Sequence, residues 1–222
     1  MRSNRNSKLT PEEYEQLMQE RTKMQQNLEY WQQQAQQKLA SHLEVFNDAI
    51  IAIISTIMVL EIPLPNHSIS YFDFLHSIVL FLISFFIVIN FWYKNHQISS
   101  ILTNINKSYV ILNFIFVACL SLIPVLTKWM MEDSTSLAVA HMGIIYLLIT
   151  TLNIVMSGIA YGQLIKDTSF ISTFYHRLLK LRIILMFIFN IVLIIMAFIF
   201  PTYAMIIYLA IPILSLFAPS HL

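Results

Sequence analysis

The amino-acid sequence predicts an all-α polytopic membrane protein. Of its 222 residues, 57% are hydrophobic and only 11% are charged, whereas a soluble domain carries about 25% charged residues. Apolar runs of about 20 residues, the length that a helix needs to span a bilayer, recur along the chain. Residues 1–41 hold six of the 13 Lys and Arg residues and five of the 12 Asp and Glu residues. We therefore divide the chain into a Gln-rich polar tail, residues 1–41, and a membrane domain, residues 42–222.

The tail is predicted to form a cytoplasmic helix. Its first forty residues contain no apolar segment of the kind found in signal peptides. Thr10-Pro11-Glu12-Glu13 has the pattern of a capping box with Pro at the first helical position. A seven-residue spacing links Tyr14, Leu17, Arg21, Met24, Leu28, Trp31, Ala35 and Lys38. Two of these eight residues are charged, so a solvated helix, an oligomeric coiled coil and a disordered Gln-rich segment all stay open.

Six membrane spans are predicted from the apolar runs after the tail. They cover residues 44–63, 70–93, 106–127, 136–161, 181–200 and 202–218. The last two are separated only at Pro201-Thr202 and are expected to form a tight hairpin. Lys and Arg residues favour the cytoplasmic side of a membrane. With both chain ends inside, 12 of the 13 Lys and Arg residues lie in or beside cytoplasmic segments, and only Lys128 lies outside. The predicted topology is therefore N-in, C-in.

Several functional classes are disfavoured by the composition. A formal charge of +1 provides no basic field for nucleic acid, and the single cysteine, Cys119, cannot form an internal disulfide. The chain has no Gly-rich phosphate loop and no nucleophile elbow. Asp48 and Glu61 are separated by about 20 Å along a helix, so they are not a catalytic pair. The histidines fall on different spans without a zinc or haem pattern. We therefore expect neither an enzyme nor a bound cofactor.

The first span carries an apolar stripe with a polar neighbour. Ile53, Ile57 and Leu60 share one side of the predicted helix, and Thr56 lies beside them. Asp48 lies about 140° away from Ile53, so it is expected to point into neighbouring helices. From the periodicity alone, the stripe can face lipid while Asp48 serves in helix packing. Single amides in later spans are expected to bond between helices; they are Asn90, Asn113, Asn153 and Asn190.

Phe46 and Asp48 near the start of the first span, the segment Val59-Leu60-Glu61-Ile62-Pro63 at its end, and the pattern Trp92-x-x-x-His96 occur in one chain. Together they resemble the transmembrane protein 175 family of cation channels, which has endolysosomal members in animals and single-repeat members in prokaryotes, and the resemblance covers residues 42–220. The family signature is Arg-x-x-x-Phe-Ser-Asp at the start of the first helix, where this chain has Phe46 and Asp48. The helix end Val59-Leu60-Glu61-Ile62-Pro63 is also similar to that of the family. Further likenesses are to the patterns Trp-x-x-x-His, Leu-Asn and Pro-x-x-Thr, found here at Trp92 and His96, Leu112-Asn113, and Pro124 and Thr127.

The chain departs from the signature at two positions, with His42 in place of Arg and Asn47 in place of Ser. The resemblance implies a hydrogen-bonded network behind the pore helix, formed here by His42, Phe46, Asn47, Asp48, Trp92, His96 and Asn113. Asp48 is expected to be buried in this network. A protonated His42 could donate to Asp48, which would make the network depend on pH.

The resemblance also implies a function. It points to a K⁺-permeable homotetrameric channel in the plasma membrane of a prokaryote, with the first helix of each subunit lining the pore. Ile53 would form the first hydrophobic ring, Ile57 and Leu60 the next layers, and Thr56 their polar neighbour. Such a ring favours K⁺ modestly over Na⁺, because K⁺ sheds water more cheaply. Permeant ions, the lipid bilayer and other copies of the chain are the only partners expected.

Three alternatives are kept beside the channel. A proton-permeable variant is suggested by family members linked to proton permeation and by the titratable His42. A secondary transporter would show an internal repeat and helices broken at the midplane, whereas this sequence has no repeat and its prolines lie near helix ends. A structural membrane protein could use the Gln-rich tail to dock a partner. Currents through the purified protein separate the channel from the last two.

Overall fold

The computed structural model describes residues 10–65, 69–102, 105–133, 135–164 and 169–217. Within these ranges, α-helix is the only regular secondary structure. The helices are α1 (Pro11–Leu60), α2 (Tyr71–Ile101), α3 (Lys107–Leu120), α4 (Ile123–Glu132), α5 (Ser136–Leu164), α6 (Ser169–Ile199) and α7 (Pro201–Phe217). The chain divides into two compact units, Met1–His42 and Leu43–Leu222.

The first unit is helical from Pro11, and the predicted capping box is confirmed. The backbone N–H of Glu13 donates to Thr10 Oγ1 at 3.3 Å, and the Thr10 N–H donates back to Glu13 Oε2 at 2.8 Å. These two bonds satisfy amide donors that a helix start leaves free. Because the Glu13 carboxylate accepts bonds from the Thr10 backbone and hydroxyl, its pKa is lowered from the ordinary value.

Proline residues and caps set the helix ends in the second unit. Helix α1 ends at Leu60, just before Pro63 and Pro65. Helix α2 begins with a second capping box, in which Ser70 and Asp73 bond to each other's backbone N–H groups. The break at Phe200, followed by Pro201 as the first residue of α7, agrees with the predicted hairpin.

The third predicted span is not one helix, because it breaks into α3 and α4 at Ser121 and Leu122. Pro124 is the reason, since it has no N–H to donate to the preceding turn and its ring disturbs that turn. The break is held from the side by Thr127, whose hydroxyl lies 2.8 Å from Ser84 Oγ on α2 and 2.8 Å from the Ile123 carbonyl oxygen.

The core of the second unit lies around α5, which packs against α2, α3, α4, α6 and α7. A series of aromatic rings crosses it. Phe91 on α2 contacts Phe116 on α3 and Tyr146 on α5, with ring centroids 6.3 and 5.4 Å apart, and Tyr146 contacts Tyr208 on α7 at 5.9 Å. Gly143 lies directly against the Tyr208 ring, where a Cβ atom would collide with the phenol. These contacts make one apolar bundle from α2 to α7.

Four helical segments among the described residues are long and apolar enough to cross a membrane. They are Pro11–Leu60, Tyr71–Ile101, Lys107–Glu132 and Ser136–Gln163. The apolar segment Ile183–Ile199 is shorter. The all-helical architecture of a membrane protein is therefore present, whereas the count of six spans and the N-in, C-in orientation stay predictions.

Candidate functional site

Within the second unit, the membrane part of α1 has two different faces. One face is buried against the unit and consists of residues spaced three or four apart: Leu43, Asn47, Ile51, Ile54 and Met58. The predicted stripe lies on the other side, where Ile53, Ile57 and Leu60 have exposed fractions of 56%, 42% and 81%. We call these three residues with Thr56 the α1 stripe. Because the described residues leave these side chains largely exposed, the stripe is available to lipid, water or other copies of the chain.

The Thr56 hydroxyl is oriented by its own helix. Its Oγ1 donates to the carbonyl oxygen of Ile53 at 2.8 Å. A hydroxyl has one proton and two acceptor lone pairs. Since the proton is used inside the helix, the oxygen keeps acceptor capacity on the exposed side. This is the one polar group of the α1 stripe, and it can accept a bond from water or contact a cation.

Behind the stripe, two buried asparagines join α1 to α3. Asn47 Nδ2 donates to Asn113 Oδ1 at 3.0 Å, and Asn113 Nδ2 donates to Asn47 Oδ1 at 2.8 Å. Their exposed fractions are only 3% and 1%. Each amide thus satisfies one donor and one acceptor of the other, as buried polar groups require. Asn47, which stands where the signature has Ser, therefore has another asparagine as its hydrogen-bond partner.

Asp48 bonds to α2, but it is not buried as expected. Trp92 Nε1 donates to Asp48 Oδ1 at 2.7 Å, a short bond of the charge-assisted kind. In a single copy the Asp48 side chain is nevertheless exposed. The expected contact with the Trp92–His96 end of α2 is thus present, whereas the expected burial is absent in a single copy, because Asp48 lies at the border of the buried face of α1.

Glu44 was not among the predicted network residues, and the sequence suggested it only as a charged neighbour of His42. Its Oε1 lies 2.7 Å from His96 Nδ1, and the His96 ring stacks on Trp92 with centroids 5.7 Å apart and 24° between the planes. Glu44 and Asp48 are four residues apart, as are Trp92 and His96, so each pair lies on one side of its helix. The two pairs match in antiparallel order, Glu44 with His96 and Asp48 with Trp92. This shared spacing of four residues is the feature of the sequence that could have indicated the contact of Glu44 with His96.

Phe46 and His42 are the two remaining residues of the predicted network. Phe46 packs edge-to-face on Phe114 of α3, with centroids 5.6 Å apart. His42 is exposed and is the last residue of the first unit. Asp48, the expected partner of a protonated His42, accepts a bond from Trp92 on α2 instead, and the nearby Glu44 pairs with His96. The pH dependence assigned to His42 stays a prediction.

An ion pair lies just beyond the other end of the α1 stripe. Lys128 Nζ on α4 lies 2.8 Å from Glu61 Oε2, and both side chains are partly exposed. Glu61 is the residue directly after the end of α1. The sequence indicated that Lys128 was the isolated outer cation but not that Glu61 is its partner. Among the described residues, no group of three or more His, Cys, Asp or Glu side chains could hold a metal ion.

Comparisons with known proteins converge on one family. Residues 42–124 match the family model described as endosomal/lysosomal potassium channel TMEM175. A potassium channel of Chryseobacterium sp. (strain P1-3) is 33% identical over 122 residues, which are 54% of this chain and 59% of that protein. The chain therefore matches less than two thirds of the length of this curated relative.

A similar fold is found in a crystal structure of a lysosomal potassium-selective channel TMEM175 homolog from Chamaesiphon minutus. The TM-score is 0.61 at 20% identity, with 80% of this chain and 96% of that chain covered. At that identity the likeness shows the fold alone. Residues 42–124, which match the family model, contain the α1 stripe, the asparagine pair and the contacts of Asp48 and Glu44. Residues 42–124 are therefore similar to the TMEM175 family model, and the fold is similar to that of a TMEM175 homolog.

Proposed function

We propose that the chain forms a K⁺-permeable channel whose pore is lined by the α1 stripe of several copies. The observation that carries this proposal is the exposure of Ile53, Ile57 and Leu60 on the side of α1 that does not pack on its own domain. The relatives support it, because those of Chryseobacterium and Chamaesiphon minutus are described as potassium channels. The membrane domain crosses the plasma membrane six times, with both ends in the cytoplasm.

A ring around a pore needs several copies, since one chain supplies one α1 stripe. A closed cyclic oligomer is the economical arrangement, because every copy then makes the same contacts. The resemblance to single-repeat family members favours four. In such a tetramer, the buried face of α1 stays on its own domain, and the opposite face turns toward the axis and the adjacent copies.

Selectivity then follows from the side chains of the α1 stripe. An ion passing a ring of Ile53 side chains loses part of its hydration shell and receives little in exchange. K⁺ gives up water at a lower cost than Na⁺, so the ring favours K⁺ modestly. Thr56 Oγ1 offers a partial replacement for the lost water, because its acceptor lone pairs are free on the exposed side.

The test is current through the purified full-length chain in planar bilayers with K⁺ on one side and Na⁺ on the other. We expect unitary currents whose reversal potential is displaced toward that of K⁺. A reversal potential that follows an imposed pH gradient would show a proton-permeable channel instead. Saturable uptake without unitary current would show a transporter, and no transport at all would contradict both.

Lys128→Gln is expected to raise the conductance by about twofold at low ionic strength. The substitution leaves the Glu61 carboxylate uncompensated at the end of the α1 stripe, so each copy adds a negative charge that concentrates cations at the mouth. The measurement is single-channel conductance in low KCl and in 1 M KCl, where screening acts within about 3 Å. Lys128→Arg keeps the pair and serves as the control. An increase that persists in 1 M KCl would show that the effect is not electrostatic.

Asp48→Ala is expected to reduce the yield of the tetramer while leaving selectivity unchanged. It removes the acceptor of the Trp92 indole N–H, a loss of about 1 kcal/mol per copy for a partly exposed bond. Asp48→Asn retains an acceptor oxygen and should lose less. Yield is measured by size-exclusion chromatography in detergent and selectivity by reversal potential. A stable tetramer with an altered reversal potential would mean that Asp48 acts in the pore.

A further inference from the structure

We propose that the tail helix carries a coiled-coil seam that packs against the same seam on other copies of this chain. The seam consists of Tyr14, Leu17, Arg21, Met24, Leu28 and Trp31. This inference deepens the proposed function, because it assigns the tail a role in assembling the channel.

The first observation is that the apolar residues of the seam are exposed. Tyr14, Leu17, Met24, Leu28 and Trp31 are all exposed in the structure, up to 66% for Met24. Their spacing alternates between three and four residues over three heptads, in which Arg21 is the one charged member. An apolar repeat that is sustained over three to four heptads is typical of a coiled coil. The opposite side of the helix is mostly polar, with residues such as Thr22, Gln26 and Gln33, and carries one exposed aromatic residue, Tyr30.

The second observation concerns charge along the seam. Arg21 takes the first core position of its heptad, and Glu20 occupies the flanking position just before it. In a parallel arrangement, a cation at this core position reaches the flanking carboxylate of the adjacent helix, which sets the register. Parallel orientation is required, since every copy enters the membrane from the same side. The tail helices are also held close together once the membrane domains assemble, which raises their effective concentration.

The charge of the tail helix also disfavours binding of the seam to a membrane surface. An amphipathic helix that lies on anionic lipid carries Lys and Arg residues on its polar face. From Pro11 to His42 this helix has five Glu residues against three basic ones, Arg21, Lys23 and Lys38. Apart from Arg2, Arg5 and Lys8, which precede it, the helix thus carries a net negative charge, which is unfavourable at an anionic surface. A second copy of the chain is therefore the occupant that fits the seam.

Cysteine crosslinking of the full-length chain in liposomes tests this directly. Cys119 is replaced by Ser, and Met24→Cys on the seam is compared with Gln26→Cys on the polar side. Under the same mild oxidation, we expect at least tenfold more disulfide-linked dimer from Met24→Cys. Arg21→Glu should reduce that fraction severalfold, and Glu20→Arg combined with Arg21→Glu should restore it, because the pair is then reversed.

Equal crosslinking at the two positions would overturn the proposal. So would a Met24→Cys thiol that forms no dimer and is shielded from a soluble maleimide, because another protein or lipid then covers the seam. Oligomer mass and bilayer currents are measured on the same samples. If a tetramer and currents are present without seam crosslinks, the seam alone is wrong. If currents are absent while the crosslinks form, the proposed channel function fails and the seam stands.

Discussion

Ile53→Asn is expected to reduce K⁺ over Na⁺ discrimination severalfold and to move the reversal potential toward zero. The polar amide would hydrate the narrowest ring, so ions would pass with more of their water and the difference in dehydration cost would shrink. Ile53 is more than half exposed in a single copy. The substitution therefore leaves the core of the subunit intact, and an altered reversal potential reports on the pore and not on folding.

Val59→Asn is the matched control for this experiment. Val59 lies on the same helix, is exposed to a similar degree and points about 120° away from Ile53. It should leave the reversal potential unchanged. If Ile53→Asn keeps the wild-type reversal potential, Ile53 is not the selective constriction. If only Val59→Asn alters it, a different side of α1 lines the pore.

Asn113→Leu is expected to destabilise the fold by about 2 kcal/mol, because it leaves the Asn47 amide buried without its partner. Asn47→Leu should cost a similar amount for the same reason. The double substitution should cost much less than the sum, since no amide is then left unsatisfied and the two apolar side chains can pack together. The measurement is unfolding of the full-length chain in detergent for the four proteins of the cycle.

Asn190→Leu is the control for the double-mutant cycle of Asn47 and Asn113. Asn190 is equally buried, but its Nδ2 donates only to the Met186 carbonyl oxygen of its own helix. Its replacement removes no bond between helices and should have little effect on stability. Strictly additive losses at Asn47 and Asn113 would show that the reciprocal bonds contribute nothing to the packing of α1 on α3.

Local signals in the sequence were sufficient for the helices. The Thr10 and Glu13 capping box and the breaks before Pro63 and at Pro201 depend on groups a few residues apart, and the structure agrees with each. The spacing of Ile53, Ile57 and Leu60 likewise predicted a common side of α1. Pro124 was also visible in the sequence, but its effect depended on its position within a turn, so the third span was expected as a single helix.

Contacts between helices required the tertiary structure. Four single amides were expected to bond between helices, yet only the structure pairs Asn113 with Asn47 and directs Asn190 to its own backbone. Glu44 was overlooked because its importance depends on the antiparallel register that brings it to His96. Capping and apolar periodicity are determined within one or two turns of a helix. Which side chains meet across helices depends on the offset and rotation of segments some forty to seventy residues apart, and those are decided only when the whole bundle packs.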